Sequence, residues 1–114
     1  MEDGRLMQSM LLDFYGQLLT EKQRECYDLH YNEDLSLSEI AEHSGISRQA
    51  VWDNIHRAEA ALKQIEEKTG LVKRFFETEK LMGSLREKLE KLLELSEGEA
   101  ESLVKQAIDD INSL

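Results

Sequence analysis

Six side chains between positions 48 and 57 carry the groups that can address a nucleic acid. Arg48 and Arg57 each offer a planar fork of donors that matches a phosphate or a guanine edge. Gln49 can pair with an adenine edge, and Asp53 can accept from the amino group of cytosine. His56 lies one turn beyond Trp52, the only tryptophan. Trp52 either flanks the core, packs on the C-terminal helices, or stands as an exposed contact. Ser36 and Ser47 sit just ahead of two helical patterns, where a hydroxyl and the first free N–H groups can help hold a phosphate backbone.

These groups share a surface only if two short helices cross at a fixed angle. Ser36 followed three residues later by Glu39 is a capping box that opens a helix over Leu37–His43. Ser44-Gly45 stops it, because glycine accepts the left-handed backbone of a tight turn. Ser47 then caps a helix running from Arg48 to Thr69, closed by Gly70. Ala41 is small where the helices cross, and Ile40, Ile46, Val51 and Ile55 fill the wedge between them. This is the logic of a helix-turn-helix, with Arg48, Gln49, Trp52, Asp53, His56 and Arg57 left on the outer side of the second helix.

Leu19-Thr-Glu-Lys-Gln-Arg-Glu25, Leu35-Ser-Leu-Ser-Glu-Ile-Ala41 and Ile46-Ser-Arg-Gln-Ala-Val51 together resemble region 4 of bacterial sigma factors, which reads the major groove of promoter DNA. The whole chain more closely resembles the YlxM family of small bacterial helix-turn-helix proteins. Asp13-Phe-Tyr-Gly16 and the run from Gly45 to Asp53 carry that likeness. The resemblance implies a DNA-binding or regulatory protein acting in the signal recognition particle pathway. One departure stands out: residues 47–63 hold three basic groups, Arg48, Arg57 and Lys63, against Asp53 and Glu59. So few phosphate contacts give weak binding unless a dimer doubles them.

The remaining sequence reads as helix throughout. Leu6, Met7, Met10, Leu11, Phe14, Leu18 and Leu19 paint a stripe on a first helix over 6–19. Thr20 with Gln23 is a capping box for a second helix carrying Cys26, Tyr27, Leu29 and Tyr31, ended by Asn32–Asp34. Beyond Gly70 a heptad-like seam runs Leu71, Phe75, Thr78, Met82, Leu85, Leu89, Leu92. Ser96 with Glu99 forms a third box, opening a helix whose apolar stripe holds Val104, Ile108 and Ile111 together with Leu103 and Leu114. The expected architecture is all-α: a first helix and helix-turn-helix over 1–70, then a helical hairpin over 71–114 whose two stripes pack together, all in one continuous domain.

Composition limits the function. The chain has 114 residues, enough for one small core. Its 24 acidic against 14 basic side chains give a net charge of −10, the wrong sign for avid unassisted binding to a polyanion. His30, His43 and His56 lack paired ligand spacing, so no metal or other cofactor is expected. Cys26 reads as a packed thiol. A glycine-rich phosphate loop, a Gly-x-Ser-x-Gly elbow and an HExxH helix are all missing, so the chain is not expected to be an enzyme. No apolar run approaches the roughly 20 residues of a membrane span, and the start lacks a signal-peptide pattern, so a cytoplasmic place is expected. The apolar faces exceed what one small trihelical unit can cover, which favours a homodimer. The competing reading is a protein-interaction module that docks its acidic helices on signal recognition particle components without touching DNA.

Overall fold

The computed structural model describes residues 2–114, with side chains from Gly4 onward. The elements are α1 (Glu2–Tyr15), a 3-10 turn (Gly16–Leu18), α2 (Glu21–Tyr31), α3 (Leu37–Ser44), α4 (Arg48–Thr69), α5 (Leu71–Glu94) and α6 (Gly98–Asn112), with no strand among the described residues. The all-α reading therefore holds. The chain divides into two units, one ending at Val72 and the other beginning at Lys73.

In the first unit the caps form as their residue types dictate. Thr20 accepts from the Gln23 N–H at 3.2 Å while the Gln23 side chain accepts from the Thr20 N–H at 3.1 Å. Ser36 and Glu39 make the same reciprocal pair at 3.1 and 2.9 Å. Gly45 and Gly70 end α3 and α4 with φ of 69° and 64°, in the left-handed region. Cys26, Ile40, Val51 and Ile55 form the buried wedge, with Leu35, Leu37, Ala41 and Ile46 packed against it. A fully buried Leu, Ile or Val each contributes about 1.5 to 3 kcal/mol, so this cluster is what sets the crossing of α3 on α4.

The first helix differs from its sequence reading. It begins earlier and stops at Tyr15, after which the chain tightens into the 3-10 turn closed by the Leu19 N–H on the Gly16 carbonyl at 3.1 Å. Its buried side is Leu11, Tyr15 and Leu19, whereas Leu6, Phe14 and Leu18 are exposed. The tightened turn changes the angular step, so the period read across residues 16–19 no longer follows one face.

In the second unit α5 and α6 form a hairpin marked by Arg86, whose Nε donates to Asn112 Oδ1 at 2.7 Å. Val104 is buried, and Met82, Leu89 and Leu93 are half-buried. Leu85 and Leu92, both on the expected seam, are instead exposed, so the inward line of α5 lies to one side of that seam. The third capping box does not form. The Ser96 hydroxyl donates back to the Leu92 carbonyl at 2.6 Å, which also accepts the Leu95 N–H at 3.1 Å, and Glu97 takes the cap position of α6 with no side-chain bond.

Candidate nucleic-acid interface

The outer side of α4 begins at Ser47, whose hydroxyl accepts from the Ala50 N–H at 3.0 Å. The first turn of α4 contains no acidic residue, so its remaining free N–H groups face no local negative charge. At α3 the situation is opposite. Ser36 is engaged by Glu39, and that carboxylate occupies the N-terminal turn where a phosphate would otherwise approach. The backbone N–H and then the hydroxyl of Ser36 hold the Glu39 carboxyl below the usual carboxylate range. Of the two serines, Ser47 thus has the setting better suited to an anion.

Along α4 the side chains divide into free and engaged groups. Among the described residues neither Arg48 nor Arg57 has an ion-pair partner, and both are exposed. Gln49 donates to Asp53 Oδ1 at 3.2 Å, so the exposed Gln49 and the half-buried Asp53 satisfy each other one turn apart on the helix. Reading a base through either one first breaks that bond. Asn54 donates to the Ala50 carbonyl at 2.8 Å and is likewise occupied.

Trp52 takes the exposed alternative, at 45% accessibility, and stacks on His56 with ring centroids 3.8 Å apart and 26° between planes. The i to i+4 spacing places the rings one turn apart on one face. His56 Nδ1 lies 2.9 Å from the Trp52 carbonyl, which can only accept, so Nδ1 is the donor in this contact. Leu37 joins Arg48, Gln49 and Trp52 around a surface hollow between the starts of α3 and α4. Leu37 was not among the site residues read from sequence. The available signal was its place directly after the Ser36 cap, on the turn that a helix-turn-helix sets against its second helix.

The structure thus gathers Arg48, Gln49, Trp52, Asp53, His56 and Arg57 along the outer part of α4, while Ser36 lies at the start of α3. Glu59, further along α4, accepts from the Tyr31 hydroxyl at 3.0 Å and tethers α2 to α4. Among the described residues no three His, Cys, Asp or Glu side chains cluster as metal ligands, and no helix is long and apolar enough to cross a membrane.

Residues 2–110 match a family model described as "Putative helix-turn-helix protein, YlxM / p13 like", a description that points to a regulator and fits a DNA-binding role. A UPF0122 protein of Thermoanaerobacter sp. strain X514 is 45% identical over 112 residues, covering 97% of this chain and 92% of the relative. One from Halalkalibacterium halodurans is 47% identical over 91 residues, covering 80% of this chain and 84% of the relative. A third, from Acetivibrio thermocellus, is 59% identical over 69 residues, 60% of this chain and 59% of that protein's length. With its helix-turn-helix in place and the match running almost end to end, the chain belongs to the UPF0122 family of YlxM-like helix-turn-helix proteins.

Proposed function

We propose that this protein is a DNA-binding regulator that lays α4 in the major groove and works as a homodimer, its two recognition helices spaced about 34 Å apart. The supporting observation is the pair of exposed arginines without ion-pair partners, Arg48 and Arg57, on a helix whose first turn carries no acid. Ser47 and the free amides of that turn take a phosphate, and Arg48 or Arg57 takes a guanine edge. Trp52 and His56 form an aromatic flank beside them. On random-sequence duplex both arginines of each protomer contact phosphates, four per dimer, which gives a salt slope of roughly −3.6, so affinity falls about 150-fold between about 50 and 200 mM salt. Titration of random-sequence duplex, followed by Trp52 fluorescence with a mobility assay beside it, measures this. Absence of binding at the lower salt overturns the reading.

A second reading is favoured by the net charge of −10 and by Asp53 on α4. Here the fold is kept as a protein-interaction module whose acidic helices dock on a basic partner. The YlxM likeness directs this reading to the signal recognition particle, either its GTPase or its RNA-bound core. Neutralising Glu87, Glu90, Glu94, Glu97 and Glu101 then slows association with that partner at low salt. An unchanged association rate argues against it.

A further inference from the structure

Both helices of the second unit carry leucines that their own hairpin leaves uncovered. On α5 Leu81 is 71% exposed and Leu85 and Leu92 are exposed as well, and Leu95, just past the end of that helix, is 84% exposed. On α6 Leu103 is 59% exposed, and Leu114, two residues past its end, is 85% exposed. At about 100° per residue Leu81, Leu85 and Leu92 form a single stripe, about 80° around the helix from the half-buried line of Met82, Leu89 and Leu93. Leu103 lies about 110° around α6 from the line of Val104, Ile108 and Ile111. The two offsets have the same sense and the helices run in opposite directions, so the α5 stripe and Leu103 emerge on one face of the hairpin.

Charge divides that face in two. The α5 stripe is interrupted by Lys88 and flanked by Lys91, and Leu103 on α6 is flanked by Glu99 and Asp110. None of these four has an ion-pair partner among the described residues. A leucine-rich face that is basic along one helix and acidic along the other is complementary to itself when turned by a two-fold rotation. Setting α5 against α5 instead brings Lys88 and Lys91 onto their own copies, and setting α6 against α6 does the same for Glu99 and Asp110.

We infer that this face binds a second copy of the chain, with α5 of each protomer lying on α6 of the other in a four-helix bundle. The inference rests on the dimeric reading proposed above and names its surface. It also reconciles a strongly acidic chain with self-association, because each copy meets the local sign opposite to its own.

The test is sedimentation equilibrium of the full chain at low salt, without nucleic acid, so its outcome is separate from that of the duplex titration. The unmodified chain sediments as a dimer. K88E/K91E and E99K/D110K change only exposed residues, which far-ultraviolet circular dichroism checks, and each pair weakens the dimer by about 30-fold or more. Mixing the two variants in equal amounts restores a dimer, since every α5 then faces an α6 of opposite sign. A monomeric unmodified chain overturns the inference. So does an undiminished dimer in E99K/D110K, which removes α6 from the interface, or a mixture that stays monomeric. A monomer that still binds duplex in a salt-sensitive way removes this interface while leaving the groove contact standing.

Discussion

The hydroxyl of Tyr15 donates to Glu66 Oε1 at 2.6 Å, tying the end of α1 to the last turns of α4. Thr69 Oγ1 lies 2.5 Å from the same hydroxyl, and the Val72 N–H donates to the same carboxylate oxygen at 3.1 Å. A single carboxylate therefore holds three segments together: the end of α1, the end of α4 and the first turn of α5. Since Tyr15 is buried and the bond is to a charged acceptor, Tyr15→Phe costs about 1.5 to 3 kcal/mol in urea unfolding. A cost near zero shows that the Val72 amide and water suffice for Glu66.

Three tyrosines couple the fold to alkaline pH. Burial, and then the Glu66 hydrogen bond, raise Tyr15; burial raises Tyr27; burial followed by the Glu59 bond pushes Tyr31 up to about 12. Each folded-state value lies above that of the unfolded chain, so their stabilising effect is complete below about pH 10 and is lost as pH rises through the folded-state values. Unfolding free energy measured at pH 8, 10 and 11.5 falls steeply over the last interval. A flat profile means that the tyrosines ionise equally in both states.

The turn of the helix-turn-helix is sensitive to backbone and cap in different ways. A Cβ at Gly45 meets no atom within 4 Å, so Gly45→Ala is opposed only by the left-handed backbone, at about 1 to 2 kcal/mol. Ser47→Ala removes an N-cap at about 1 kcal/mol. The two residues flank Ile46, so the double variant reports whether the turn and cap act independently.

Asp53 is the half-buried negative group among the α4 site residues, and Gln49 is its hydrogen-bond partner. If α4 enters a groove, Asp53→Asn raises affinity for random duplex several-fold at about 50 mM salt, while Arg48→Ala lowers it and reduces the magnitude of the salt slope. Opposite signs from two residues on one helix distinguish groove contact from general charge effects, which Asp13→Asn on α1 controls for.

Cys26 has no exposed surface, and burial raises its thiol above the ordinary range. Its reaction with a disulfide reagent therefore proceeds only through opening of the first unit, and it accelerates by orders of magnitude in denaturing urea. Rapid labelling of the native chain indicates that α2 opens away from α4.

Local chemistry was written plainly in the sequence. Ser36-Glu39, Thr20-Gln23, Ser47, Gly45 and Gly70 mark helix ends because each satisfies backbone groups only a few residues away, and Ile40, Val51 and Ile55 declare the wedge by their spacing. Those signals placed the outer side of α4 before any coordinates. What tertiary structure decided was how competing partners are shared. Ser96 had two backbone partners in reach and took the Leu92 carbonyl over the Glu99 cap, and Tyr15 became core by finding Glu66 and Thr69 across the fold. On α5 two overlapping apolar lines were available, and that of Met82, Leu89 and Leu93 is the one half-buried. Periodicity shows that a face is apolar, but only the positions of neighbouring helices determine which line is covered, because burial is a property of the pair and not of either helix alone.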